Sequence, residues 1–281
     1  NAVLQKDDEC IVFTPYFPEY GVFLERTGGK LVAVQSEDKT FQIDMNRFEA
    51  AITDKTKAVI INSPNNPSGV VYTEDTIQKM SALLKKKEEE YGHPIFVITD
   101  EPYRELVYDN TKVPYIINYY DNTFVCYSYS KSLSLPGERI GYIVVSPAMI
   151  DEEDAYAAVC GSARALGYVC ASSMYQRVVQ KCIDQTADIS IYKRNRDLLY
   201  NALTDMGYEC VYPDGAFYLF VKAMEEDSQK FCEEAKKHEL LLVPADSFGT
   251  PGYGRVSYCV QTEQIENALP AFKALAESYQ K

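Results

Sequence analysis

Histidine is nearly absent from this sequence of 281 residues, occurring only as His93 and His238. Neither stands at a metal-ligand spacing from Cys, Asp or Glu, so the chain offers little to a structural zinc site or a serine-histidine hydrolase. The nucleophile elbow G-x-S-x-G is missing, and no G-x-G-x-x-G follows a strand pattern. Gly28-Gly29-Lys30 lacks both the Ser or Thr and the earlier Gly of a phosphate-binding loop, and reads as a turn before a strand. No apolar run approaches the roughly 18 residues of a membrane span. Basic charge is also short. Lys and Arg number 28 against 41 Asp and Glu, a formal charge of −13, which gives nucleic acid or an anionic membrane no electrostatic attraction. Residues Asn1 to Glu9 show no basic start before an apolar stretch, so no secretory signal is read there. Pairs of the C-x-x-C type are lacking too. The eight cysteines are scattered, Cys10, Cys126 and Cys259 falling in apolar strand-like runs, and read as reduced, buried thiols of a cytoplasmic protein.

What is present is an ordinary globular composition, 46% hydrophobic, with ample apolar material for a core. Short apolar runs at Cys10–Phe13, Leu31–Val34, Ala58–Ile61, Ile95–Ile98 and Phe124–Tyr127 read as buried strands. They alternate with helix patterns. Asp44 caps a short one carrying Phe48 and Ile52, and Thr73 opens a longer one with Ile77, Met80 and Leu84 on one face. The alternation predicts an α/β fold around a mostly parallel central sheet, to which Arg139–Val145 adds a strand. Beyond Ser146 the pattern is helical through 151–165, 172–182 and 188–206, with Gly207 as a stop. A smaller α+β unit follows, with strands at Phe217–Val221, Leu240–Val243 and Arg255–Val260 and helices at 228–238 and 263–279, the last bent at Pro270.

Three of the first-half strands deliver polar residues at their carboxyl ends, where open α/β sheets bind ligands. Ala58–Ile61 leads into Asn62-Ser63-Pro64-Asn65-Asn66-Pro67-Ser68-Gly69, which alone reads as Asx and Pro turns. Ile95–Ile98 leads into Asp100-Glu101-Pro102-Tyr103, where Asp100 also suits a helix N-cap. Phe124–Tyr127 leads into Ser128-Tyr129-Ser130-Lys131, with Arg139 eight residues later. Two hydroxyls just before a lysine, with an arginine beyond it, suit a phosphate-bearing cofactor held covalently through an amine.

Taken together, these residues resemble the class I/II aminotransferases, pyridoxal-phosphate enzymes of fold type I. Ser128 to Gly141 is similar to that family's lysine-site signature, Asn62–Gly69 to its N-P-x-N-P-x-G segment with Ser63 in place of the first Pro, and Asp100–Tyr103 to its D-x-x-Y segment. Thr14–Tyr20 resembles the aromatic turn that stacks a ring on the cofactor. Pro213–Tyr218 and Gly254–Ser257 resemble the small-domain motifs. The resemblance implies helices on both faces of the sheet, a large domain over residues 1–185 and a smaller C-terminal α+β domain over 186–281.

It further implies Lys131 as the Schiff-base lysine, Asp100 facing the pyridine nitrogen, and Tyr103 and Asn66 on the ring hydroxyl oxygen. Ser128, Ser130 and Arg139 would hold the phosphate, Phe17 would stack on the ring, and Arg255 would clamp the substrate carboxylate. An Asp with an ordinary pKa near 3.9 keeps the ring nitrogen protonated, while Lys131 must be brought from about 10.4 toward ~7–8 to act as a base. Arg164 stands roughly where some members place an arginine for a dicarboxylate side chain, although a helix-surface arginine is the simpler reading. The implied activity is amino transfer between an L-amino acid and a 2-oxo acid in a homodimer. The alternatives are another reaction on the same cofactor, β-lyase or decarboxylase, and a non-catalytic cofactor-binding sensor domain of a transcription regulator. Relative to the family, Asn1 falls inside a helix that follows the phosphate-cupping turn. Weak or no cofactor binding is therefore expected of these 281 residues by themselves.

Overall fold

Apolar runs become strands within two residues of their expected ends. In a computed structural model that describes residues 1–280, they form β1 (Glu9–Thr14), β2 (Lys30–Gln35), β3 (Thr56–Asn62), β4 (Phe96–Asp100), β5 (Thr123–Ser128) and β6 (Gly141–Val145). The sheet order is β2-β1-β3-β4-β5-β6, with the first five strands parallel and β6 antiparallel to β5. Alternate side chains face opposite ways along each strand. Ile11, Phe13, Val59, Ile61 and Val97 pack against α2 (Met45–Ala51) and α3 (Glu74–Tyr91), through Phe48, Ile77, Met80 and Leu84. Cys10, Val12, Ala58 and Ile60 pack on the other face against Tyr20 and Leu24 of α1 (Glu19–Glu25). Cover on both faces explains why these strands are apolar throughout instead of alternating.

The caps act as expected. Asp44 accepts from the backbone N–H of Asn46 and Arg47, and Thr73 from that of Thr76. Helix α1 is a departure, since the sequence reads only its first two residues, Glu19 and Tyr20, as the end of an aromatic turn, and marks no helix beyond them.

Past a short helix α4 (Tyr129–Ser132) and β6 come α5 (Glu152–Ala165), α6 (Ser173–Cys182) and α7 (Ser190–Asp205). A second sheet is antiparallel, in the order β7-β8-β10-β9, from β7 (Cys210–Val211), β8 (Tyr218–Lys222), β9 (Val243–Pro244) and β10 (Tyr253–Ser257). Helices α8 (Ser228–Lys237) and α9 (Thr262–Ser278) pack on it, and α9 continues past Pro270.

Two expected strands move. Leu240–Val243 shrinks because Leu240 still bonds to the end of α8 through Ala235, leaving only Val243 and Pro244 to pair. Arg255–Val260 shifts to Tyr253–Ser257. Beyond it, the Asn195 amide takes the carbonyls of Tyr258 and Val260 at 3.1 and 2.8 Å in place of a strand partner. Cys259 consequently lies outside the strand and exposed. Cys160 and Cys170 are exposed as well, so the uniformly buried thiols expected from sequence are not found, although all eight cysteines are unbridged. Among the described residues no helix is long and apolar enough to cross a membrane.

A buried cation is one of the ties between the two halves of the structure. Arg196 on α7 is 1% exposed, donates to Asp109 at 2.6 Å and to the Pro213 carbonyl at 3.1 Å, and lies between the rings of Tyr108 and Tyr212. Asp109 is held down to about 2 by its bonds to Lys193 and Arg196. Arg196→Ala removes the cation, two ring stacks and a carbonyl partner together. It is expected to lower unfolding free energy by about 3 kcal/mol, read from urea denaturation. Because the folded Asp109 value is depressed below its ordinary 3.8, the stability it contributes is present above that value and is lost as pH falls toward 2.

Candidate active site

Register places the three polar strand ends side by side. Asn62 ends β3 opposite Asp100, which ends β4 beside Cys126 of β5, two residues before Ser128. The Asn62 amide donates to the Asp100 carbonyl at 2.7 Å, and its oxygen accepts from the Asn66 N–H at 2.7 Å. Asn65 accepts from both the backbone and the hydroxyl of Ser68. The Asx and Pro segment is thus a folded loop that fixes Asn66 against the end of β4. Gly69 closes the loop at a φ of +73°, where an added Cβ would stand 2.6 Å from Pro213. Only glycine allows this approach of the two sheets.

Asp100 is no helix N-cap. The Tyr20 hydroxyl donates to its Oδ2 at 2.6 Å, and it has no ion-pair partner among the described residues. It lines a cavity of about 380 Å³ shared with Phe17, Tyr20, Ile60, Ile98 and Cys126. Phe17 is half-buried, edge-on to Tyr20 at 5.7 Å between ring centres. Burial raises the Asp100 carboxyl above the ordinary value, and the Tyr20 bond works against that rise.

Lys131 lies half-buried in α4, its Nζ 5.1 Å from the ring centre of Phe217 and 5.7 Å from that of Tyr103. It makes no ion pair among the described residues. Burial lowers its pKa below that of a free lysine, with Arg139 and Arg255 adding to the effect and Cys259 opposing it. Ser128 caps α4, accepting from the Ser130 N–H, and the two hydroxyls lie 2.7 Å apart. Arg139 is exposed in a left-handed conformation at φ 52° and donates to the Pro136 carbonyl at 2.8 Å.

Gly141 ends the segment for a steric reason. An added Cβ would fall 2.2 Å from the Tyr127 carbonyl oxygen across the β5–β6 ladder. Gly141→Ala is expected to cost about 1–3 kcal/mol and to disturb the Lys131 segment first. Thermal unfolding together with hydrogen exchange on residues 127–141 checks both.

Arg255 on β10 completes the cluster. Its Nη1 donates to Asn66 Oδ1 at 2.8 Å, and its guanidinium lies between the rings of Tyr218 and Phe248, 4.5 and 5.1 Å from their centres. No carboxylate pairs with it among the described residues. Tyr103 is buried, its hydroxyl 3.2 Å from that of Tyr218. Every sequence-selected site residue therefore falls into one region except Arg164. That arginine is exposed in the last turn of α5 and joins no hydrogen bond or ion pair with the cluster. Tyr20, Asn62, Phe217 and Tyr218 were not singled out from sequence as site residues. Tyr20 stands three residues after Phe17, one helical turn on, and that spacing alone does not aim its hydroxyl at Asp100.

Comparison with known proteins shows the family. The family model described as aminotransferase class I and II matches residues 1–272. The chain belongs to that family. The aspartate aminotransferase of Thermotoga maritima is 32% identical over 274 residues, covering 95% of this chain and 69% of that protein. A solved structure of an aspartate aminotransferase from Thermotoga maritima superposes with a TM-score of 0.87 at 31% identity, covering 98% of this chain and 72% of the other. The crystal structure of an amino transferase from Eubacterium rectale matches with a TM-score of 0.97 at 57% identity, over all of this chain and 71% of that one. The protein is thus an aminotransferase with the architecture of fold type I, and its family uses pyridoxal phosphate.

Proposed function

We propose that Lys131 carries pyridoxal phosphate as a Schiff base and that the enzyme uses it to move an amino group between an L-amino acid and a 2-oxo acid. The observation that carries this is a set of unpaired charges in one cluster. Asp100 has no cation, while Lys131 and Arg255 have no anion, among the described residues. Charges withdrawn from water are costly unless partnered, so such a set fits a ligand bearing the complementary groups. A protonated pyridine nitrogen would answer Asp100, an aldehyde would take up the neutral Lys131 amine as an imine with loss of water, and a substrate carboxylate would answer Arg255.

Bound there, the cofactor supplies an electron sink for the charge that develops at the substrate α-carbon. Asp100, ionised with the help of Tyr20, keeps a proton on the ring nitrogen. Asn66 and Tyr103 donate to the ring oxygen, Phe17 covers the ring, and Ser128, Ser130 and Arg139 provide hydroxyl and guanidinium donors to the phosphate. Arg255 grips the carboxylate with a planar fork that sets orientation as well as charge. Lys131, once its amine is free and neutral, takes the α-proton and returns it on the other side of the transfer.

In this reading residues 1–185 form the cofactor domain and residues 186–281 the small domain of a cytoplasmic homodimer, as the family resemblance suggests. A screen of amino donors against 2-oxo acid acceptors with the full-length enzyme tests it. New amino acid and new 2-oxo acid in equal amounts are expected. Release of ammonia or carbon dioxide without amino transfer would overturn it in favour of a lyase or decarboxylase.

A further inference from the structure

Tyr218 belongs to neither the carboxylate clamp nor the cofactor residues, yet it touches both. It is the first residue of β8, directly opposite Ser257 of β10, and is 8% exposed. Its ring faces the Arg255 guanidinium at 4.5 Å, and its hydroxyl lies 3.2 Å from that of Tyr103, where either oxygen can donate. Arg255 also donates to Asn66 Oδ1 at 2.8 Å, so Asn66, Arg255, Tyr218 and Tyr103 form one connected chain of contacts. Its members come from both sheets. Asn66 follows β3 and Tyr103 follows β4, whereas Tyr218 and Arg255 sit on β8 and β10.

We infer that Tyr218 is a positioning residue that couples the carboxylate clamp to the cofactor's ring oxygen, its ring holding Arg255 and its hydroxyl orienting the Tyr103 proton. This rests on the cofactor reading above. Each phenol has one proton. When Tyr103 donates to an oxygen anion, the bond between the two phenols requires Tyr218 to donate to Tyr103. Such a relay polarises the Tyr103 hydroxyl and strengthens its donation. The ring contributes separately. A guanidinium stacked on an aromatic face is held in plane without a carboxylate to neutralise it, which leaves its fork free for substrate.

The two contributions separate by substitution. Tyr218→Phe keeps the ring and removes only the hydroxyl, whereas Tyr218→Ala removes both. The first readout is the pH titration of the visible absorbance of the lysine-bound cofactor. A donor to the ring oxygen favours the form in which that oxygen carries full negative charge and the imine nitrogen has lost its proton. Weakening Tyr103 should therefore raise the titration midpoint. The charged and titratable groups around Tyr103 are Asp100, Tyr20, Lys131, Tyr218 and Arg255, and those around Lys131 are Tyr103, Cys259, Arg139 and Arg255; Tyr218→Phe changes only Tyr218 among them.

With the full-length enzyme, Tyr218→Phe is expected to raise the midpoint by about half a pH unit or more, and to have no such effect in a Tyr103→Phe background. Its KM for the amino donor should stay within about twofold, while Tyr218→Ala should raise KM by roughly tenfold or more through loss of the Arg255 stack. An unchanged midpoint in Tyr218→Phe, or an equal rise with and without the Tyr103 hydroxyl, would overturn the inference. So would equal KM values for the two Tyr218 variants. Absence of any lysine-bound absorbance in the unmodified enzyme would instead overturn the cofactor reading, and the inference with it.

Discussion

Lys131→Ala is expected to lower the turnover of amino transfer by at least about 10⁴-fold and to abolish the visible absorbance that a lysine Schiff base gives with pyridoxal phosphate. The size follows from the two roles proposed for one amine, covalent anchor and proton carrier, either of which is large alone. Stability should change little, because Lys131 is half-buried and makes no ion pair among the described residues. The amine is prepared for the second role by its surroundings. Burial disfavours the ammonium, Arg139 and Arg255 add to that, and Cys259 opposes it. For a base so depressed, the rate of a half-reaction should climb with pH as the ammonium loses its proton, and that climb should end below the range of a free lysine. Retained absorbance in Lys131→Ala would show that another amine binds the cofactor. A rate that still climbed through the free-lysine range would show that burial does not act as described.

Asp100→Ala is expected to cost about 10²–10³-fold in turnover, and a similar factor in cofactor affinity is the companion measurement. Among the described residues the carboxylate is the only acid that lines its cavity, so no neighbouring group substitutes for it. Tyr20 enters here. Burial alone raises the Asp100 pKa toward the neutral acid, which is a poor partner for a pyridinium. The Tyr20 hydroxyl, donating at 2.6 Å, favours the charged form. Tyr20→Phe keeps the ring that packs on Val12 and Ile60 and should lose about tenfold, in keeping with one hydrogen bond to a charged group. An Asp100→Ala enzyme with near-normal turnover would remove the carboxylate from the site altogether.

The elements differ in how far they can be read from residues alone. The buried strands were legible because cover on both faces demands unbroken apolar runs, and α2 and α3 because Asp44 and Thr73 cap stripes of regular period. Helix α1, of the same seven-residue length as α2, was not, since Pro18 at its N-terminus supplies no side-chain cap where Asp44 marks α2. The end of β10 was not either, because it depends on Asn195, some sixty residues earlier in the chain, taking the carbonyls a strand partner would otherwise take. The direction of β6 depends on residues 129–140 turning the chain back beside β5, which residue pattern does not encode.

The site divides in the same way. The kinds of residue at the strand ends, a lysine after two hydroxyls, an Asp three before a Tyr, and an Asn in a Pro-rich turn, are local and stand in the chain in plain order. Each alone reads as a turn, a cap or a loop residue; in order with the Thr14–Tyr20, Pro213–Tyr218 and Gly254–Ser257 segments they resemble one family. Only the tertiary structure decided the partners. It brought Tyr20 to Asp100, laid Tyr218 between Arg255 and Tyr103, left Arg164 on the surface, and placed Cys259 outside its expected strand. Distances of a few ångströms between residues 80 to 190 positions apart are set by strand register and by the packing of one sheet on the other, which no local spacing records.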